Sequence, residues 1–207
     1  MSVLSHPLIF LRHYPTLWNQ EGRFQGATDL PLSTDGAKMA KSAQNHFVRL
    51  FHDGYLQPEG AHIVCSPMIR AVMTSQILAQ TPHPQLSGQY LFDRNIVTDP
   101  RLREVSFGRW EGLTSLQVKQ QFYHERRSRK SSYWSFAPQG GESMAERCGE
   151  VSKALESAGH NTVFVTHSAI MRIIHHILTG IPAEDSARLH IAHDEIWIWN
   201  GHTLRQL

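Results

Sequence analysis

Two histidines in this chain end short apolar runs. His13 follows Leu8-Ile-Phe-Leu11 and Arg12, and His167 follows Val163-Phe-Val-Thr166. Runs so brief, unbroken and rich in β-branched or aromatic residues predict strands buried on both faces, as in a parallel sheet. Open parallel sheets bind ligands beyond the carboxyl ends of their strands, so both imidazoles are expected at a ligand crevice. A neutral imidazole there is a nucleophile or a proton carrier, and its ordinary pKa of about 6.5 suits either task near neutrality.

Other groups fit the same chemistry. Arg12 adjoins His13, and Asn19 and Arg23 in the following loop can hydrogen-bond an anion. Arg70 falls in the first turn of a helix that directly follows a strand. The helix dipole disfavours a cation there unless an anion joins it. Glu104 lies in the loop Asp99-Pro-Arg-Leu-Arg-Glu-Val-Ser-Phe-Gly108 and could serve as a general acid if burial raises its pKa. The plainer reading pairs it with Arg101, Arg103 or Arg109, and Glu111 competes for the acid role. Ser168 opens a helix after His167, and free N–H groups at a helix start bind phosphate. Arginines beside His13 disfavour a second positive charge on its ring.

These residues need a frame, and the chain alternates strand and helix as an α/β fold does. The expected fold class is a three-layer α/β/α sandwich with a mostly parallel central sheet. Strands are predicted at Leu8–Leu11, His62–Cys65 and Val163–Thr166, with an edge strand at Glu195–Asn200. A polar loop runs from Tyr14 to Leu32. Ser33-Thr34-Asp35 caps a helix reaching about His52, and Ser66-Pro67 starts another, with Ile69, Val72, Met73, Ile77 and Leu78 as its buried stripe. The segment Thr81–Pro100 reads as irregular with a short strand near Leu91, Leu113 to about Arg129 as one helix, and Gln139–Glu142 as a loop. Helices follow from about Ser143 to Ala158 and from Ala169 to Thr179, the latter stopped by Gly180 and Pro182. The organisation expected is a single domain over residues 1–207 with a small cap or insertion around 81–141.

Composition bounds the partners. The 207 residues are 41% hydrophobic and 18% charged, enough to bury a core. A net charge of +2 is too weak to argue for nucleic acid and suits a small anionic substrate equally well. Two distant cysteines, Cys65 and Cys148, imply neither a disulfide framework nor a zinc cluster. No run approaches the roughly 18 apolar residues of a membrane helix, and no secretory leader is visible, so a cytoplasmic protein is expected. His175-His176 and His190-x-x-His193 lack matching cysteine or carboxylate spacing, so no metal site is expected. The run Glu125-Arg-Arg-Ser-Arg-Lys130 reads as a solvated helix end, the alternative being that it overhangs the pocket and attracts a second anionic group. Ile196, Trp197 and Trp199 could face a core or a partner, which leaves a homodimer open.

Taken in order, these stretches resemble the histidine phosphatase superfamily, the phosphoglycerate-mutase-like proteins. The matching segments are Leu11-Arg-His-Tyr-Pro-Thr-Leu-Trp-Asn19, Gly22-Arg-Phe-Gln-Gly26, Asp29-Leu-Pro-Leu-Ser33, Cys65-Ser-Pro-Met-Ile-Arg-Ala71, Asp99-Pro-Arg-Leu-Arg-Glu104, Gly108-Arg-Trp-Glu-Gly-Leu113, Gly140-Gly-Glu-Ser143 and Val165-Thr-His-Ser-Ala169. The resemblance implies that His13 is the nucleophile that becomes phosphorylated, that Arg12, Arg70 and His167 hold the phosphoryl oxygens, and that Glu104 donates the proton. Asn19, Arg23, Gln25, Ser168 and Tyr14 would contact the substrate, with no metal and no cofactor. Length and the Gly-Gly-Glu-Ser and Asp-Pro-Arg-Leu-Arg-Glu segments resemble the phosphatase branch that includes α-ribazole phosphatases. The implied activity is a phosphomonoesterase acting on a small phosphorylated metabolite; the alternatives are a bisphosphoglycerate-dependent phosphoglycerate mutase and a catalytically weak phospho-ligand binding protein. Three positions depart from the family pattern: Tyr14 where glycine is usual, Pro15 where glutamate is frequent, and Ser168 where glycine is usual. A tyrosine after the nucleophile is expected to narrow the pocket or reshape its loop.

Overall fold

The computed structural model describes residues 6–57, 61–92 and 96–207. The part of the Thr81–Pro100 expectation that falls on residues 93–95 lies outside them. Six strands form one sheet: β1 (Leu8–Arg12), β2 (His62–Cys65), β3 (Val97–Thr98), β4 (Thr162–Thr166), β5 (Ile196–Trp199) and β6 (Leu204–Gln206), in the order β3-β2-β4-β1-β5-β6. β1 to β4 pair in parallel; β5 and β6 join antiparallel at the β1 side. Side chains alternate across β1 as a strand requires. Ile9 and Leu11 pack under the helices α2 (Thr34–His52) and α3 (Ile69–Leu78), while Leu8 and Phe10 pack under α6 (Met144–Glu156) and α7 (Ser168–Thr179). The sheet is therefore covered on both faces, which makes the expected three layers.

The register positions the site. Arg12 lies beside Thr166, and the His13 N–H continues the ladder to the Thr166 carbonyl at 2.8 Å. β4 inserts between β1 and β2 although it comes later in the chain. The crevice at the carboxyl ends of β1 and β4 thus lies where the strand order reverses.

Several predicted elements differ. The helix expected at Pro67 begins at Ile69, because Ser66 turns its hydroxyl to His167 (2.7 Å) and the Asp29 carboxylate, from a distant loop, accepts the Ile69 N–H at 2.9 Å. Its buried face is Arg70, Ala71, Thr74, Ser75 and Leu78; Val72, Met73 and Ile77 pack partly, and Ile69 is exposed. The single helix expected over Leu113–Arg129 is two, α4 (Ser115–Gln121) and α5 (Tyr123–Ser131), broken at Phe122, whose backbone (φ −131°, ψ 48°) is non-helical. Leu91 is buried, but beside it there is only an isolated bridge, Pro82 to Tyr90, and not a strand. The loop from Tyr14 contains a short helix, α1 (Leu17–Gln20), started by a Thr16–Asn19 capping box. β5 is not the edge: β6 follows a turn through Asn200-Gly201 and covers it. Ile196, Trp197 and Trp199 are consequently buried within this chain.

Candidate active site

A cleft of about 210 Å³ opens at the ends of β1 and β4. His13 is at its base, 3% exposed. The His13 Nδ1 lies 2.7 Å from the Tyr14 carbonyl oxygen. A carbonyl can only accept, so Nδ1 carries the proton and Nε2 keeps its lone pair. Burial, then His167, Arg70, Arg12 and His193, hold this imidazole well below its ordinary pKa. The His13 ring is thereby neutral across the physiological range, with Nε2 unprotonated.

Arg70 is almost fully buried and is clamped from three sides. Its Nη2 donates to the Gly26 carbonyl (2.8 Å), its Nη1 to the Thr28 carbonyl (3.0 Å), and its Nε to His167 Nδ1 (3.3 Å). With Nδ1 accepting, His167 donates from Nε2 to Ser66 Oγ. Both nitrogens of His167 are occupied, and the ring is fully buried behind Arg70 instead of lining the cleft. Arg12 anchors through Nη1 to the Ile191 carbonyl at 2.8 Å, while its buried Nε has no hydrogen-bond partner among the described residues. Burial lowers the Arg12 pKa to about 10 against the opposing pull of Glu104.

Glu104 lines the cleft, and the arginines that sequence would pair with it are committed elsewhere: Arg101 to Asp99, Arg103 to Glu142 and Arg109 to Glu125. Its Oε1 accepts the Val105 N–H (3.1 Å) and its Oε2 approaches the Ala169 N–H (3.4 Å) at the start of α7. Glu111 has another task. It accepts the N–H groups of Ala27, Thr28 and Phe107 and the hydroxyls of Thr28 and Ser106, holding the loop that carries Gly26.

Asn19, Arg23, Gln25 and Ser168 also line the cleft. Asn19 and Gln25 share the Thr16 hydroxyl through their side-chain oxygens, at 3.1 and 2.8 Å. Arg23 pairs with Glu21 and donates to the Gly112 carbonyl. Tyr14 is a correction. Its side chain turns away from the cleft into the core beneath α2, so it neither narrows the pocket nor faces a substrate there; only its carbonyl serves the site. Its amide and the Arg70 carbonyl are bridged by the Thr74 hydroxyl, which ties the loop after His13 to α3.

Three more residues belong to this region. Arg129 lines the cleft, which corrects its reading as part of a solvated helix end. Arg172 lines it too; the signal was its place one helical turn after Ser168. His193, whose spacing from His190 hinted at a metal pair, donates from Nδ1 to the His13 carbonyl at 2.7 Å and lies edge-on to the His13 ring. Burial, then Arg12, lowers its pKa to about 4.

The family profile of the histidine phosphatase superfamily (branch 1) matches residues 8–201. Phosphoserine phosphatase 1 of Hydrogenobacter thermophilus is 27% identical over 179 residues, covering 84% of this chain and 76% of that one. A probable phosphoglycerate mutase of Yersinia pestis is 30% identical over 190 residues, covering 87% and 78%. In fold, the chain is similar to a mycobacterial glucosyl-3-phosphoglycerate phosphatase solved with vanadate, with a TM-score of 0.75 at 24% identity over 98% of this chain and 96% of that one. Together with the paired strand-end histidines at β1 and β4, the profile match places this chain in the histidine phosphatase superfamily.

Proposed function

We propose that this chain is a phosphomonoesterase that hydrolyses a small phosphorylated metabolite through a phosphohistidine on His13. The observation that carries this reading is the fixed tautomer of a buried neutral imidazole, with Nε2 unprotonated beside two arginines. Nε2 attacks phosphorus and the ester P–O bond breaks. Arg12 and Arg70 neutralise the phosphoryl oxygens, and His167 acts on them by holding the Arg70 guanidinium in place. The positive charge that forms on the phosphorylated ring is met by the Tyr14 carbonyl at Nδ1. Glu104 gives its proton to the leaving alkoxide, then takes one from water as water attacks the P–N bond. Phosphate leaves and both residues return to their starting states. No metal or cofactor takes part. Asn19, Arg23, Gln25 and Ser168 bound the substrate, and the 81–141 region acts as a cap that supplies the Glu104, Phe107 and Arg129 wall of a single cytoplasmic catalytic domain.

The test is phosphate release from p-nitrophenyl phosphate, in the presence of chelator, by the parent protein and by His13→Ala. Turnover that disappears in the variant is expected, with a phosphorylated His13 trapped by rapid acid-free quench. A parent protein that binds inorganic phosphate without hydrolysing any ester would overturn the reading in favour of a binding protein. The similarity to a probable phosphoglycerate mutase favours a second activity, interconversion of 2- and 3-phosphoglycerate. Its signature would be a rate that depends on a bisphosphate primer.

A further inference from the structure

A second cavity, of about 230 Å³, shares no lining residue with the cleft. It lies where α7 meets β5 and β6. His175 and Thr179 line it from the helix, Trp197 and Gln206 from the strands, and Leu189 and His190 from the segment before β5. Trp197 and Gln206 are cross-strand partners, so both side chains face this side of the sheet. The rings of His175 and Trp197 meet edge-on with centroids 5.8 Å apart. Trp197 is 3% exposed, and its buried Nε1 has no hydrogen-bond partner among the described residues. A buried donor left without an acceptor is destabilising. The neighbours do not supply one. The Thr179 hydroxyl donates to the His175 carbonyl (2.6 Å), His175 Nδ1 lies 2.9 Å from Ser186 Oγ, and no carboxylate lines the cavity.

The segment Leu189–His193 ties this cavity to the active site. Leu189 and His190 wall the cavity. The Leu189 carbonyl accepts from Arg172 Nε (2.8 Å), the Ile191 carbonyl accepts from Arg12 Nη1 (2.8 Å), and His193 Nδ1 donates to the His13 carbonyl (2.7 Å). One short stretch of chain thus carries a wall of the cavity and holds three residues of the cleft. A ligand that needs this wall in place favours the arrangement in which Arg12, Arg172 and His13 are held.

We infer that this cavity is an effector site for a small planar aromatic molecule carrying a carbonyl oxygen, and that its occupation strengthens phosphate binding in the cleft through the Leu189–His193 segment. The ring lies among Trp197, His175, His190 and Leu204, and the oxygen accepts the Trp197 N–H. A cavity smaller than those that hold drug-sized ligands suits a single ring. A ring without an acceptor would leave the indole donor unpaired. The inference goes beyond the phosphatase reading and rests on it only in taking the cleft as the coupled site.

Nicotinamide is the probe, and 3-methylpyridine supplies the same ring without the carbonyl. In nitrogen–proton correlation spectra of the full chain, nicotinamide is expected to shift the one indole N–H signal that is missing from Trp197→Phe. A millimolar Kd is the scale for so few atoms. 3-Methylpyridine is expected to bind at least about fivefold more weakly, a difference that vanishes in Trp197→Phe. Saturating nicotinamide is expected to tighten inorganic phosphate about fivefold, and phosphate to tighten nicotinamide by the same factor, a readout that needs no turnover. Leu204→Phe, at a residue that lines this cavity and not the cleft, is expected to abolish both effects and to leave basal p-nitrophenyl phosphate hydrolysis within about twofold. An unmoved Trp197 signal, or a shift that persists in Leu204→Phe, would overturn the site. Equal binding of the two probes would overturn the carbonyl assignment. Phosphate affinity that stays level or falls with nicotinamide bound would overturn the coupling. Absence of p-nitrophenyl phosphate hydrolysis by the parent protein, with no probe present, would instead overturn the phosphatase reading.

Discussion

Replacing His193 by asparagine isolates one part of the electrostatic load around His13. The His193 ring donates from Nδ1 to the His13 carbonyl and is pushed to a pKa of about 4 by burial and by Arg12. An asparagine amide can donate from nearly the same place without titrating. A histidine whose folded pKa is lowered stays neutral while the unfolded chain takes up a proton. Its stabilising share is complete above pH 6.5 and is lost as the pH falls from 6.5 toward 4. Between an ordinary value of 6.5 and a folded value of about 4, the loss from pH 8 to pH 5 is about 2 kcal/mol for this group alone. His13, His167 and His175 are lowered too and act with the same sign. The carboxylates whose folded pKa is lowered, Asp99, Glu142 and Glu184 among them, lose their contribution only at lower pH, so measurements above pH 5 report the histidines. Urea midpoints for parent and His193→Asn, taken from pH 8 to pH 5, are the assay. The variant is expected to match the parent within about 1 kcal/mol at pH 8 and to exceed it by about 2 kcal/mol at pH 5. Parallel curves would refute a buried, neutral His193.

Four further outcomes follow from the geometry. With substrate ionisation corrected, kcat/KM for an aryl phosphate should stay level from pH 8 to pH 6.5 and fall only below, because His13 is held well under 6.5; an acid limb centred at or above 6.5 would contradict this. Glu111→Gln should lower stability by about 2 kcal/mol in urea titrations, since its carboxylate gathers three backbone N–H groups and two hydroxyls. Glu104→Gln should instead cut kcat by roughly a hundredfold with little change in midpoint, and the reverse pattern would exchange the two roles. Gly36→Ala should destabilise by more than about 2 kcal/mol, because a Cβ there would lie 2.1 Å from the Pro15 carbonyl oxygen in the loop after His13; an unaffected melting temperature would count against that packing.

Much of the frame was legible from residue order. β1, β2 and β4, and the helices after Ser33, Ser143 and His167, are local structures. Their signals, an apolar run or a hydroxyl cap before a periodic stripe, lie within a few residues of one another. Two elements were misjudged where a distant partner overrode the local signal. Asp29 caps α3 across the fold and displaces its start from Pro67, and β6 supplies the pairing that turns β5 into an interior strand. The break at Phe122 interrupts a stretch whose pattern reads as continuous, and nothing local marks it.

For the site, sequence alone determined the reactive types: a histidine beside an arginine at one strand end, a histidine at another, and a loop glutamate. It could not decide which groups face the cleft, because facing depends on contacts between segments far apart in the chain. Tertiary packing turned the Tyr14 ring into the core, placed His167 behind Arg70, and committed Glu111 to the loop. It also swung Arg129 from a basic run onto the cleft wall and set the His13 tautomer through one carbonyl oxygen. Composition supplied the charges; only the fold, by desolvating some and pairing others, decided which remain free to meet an anion.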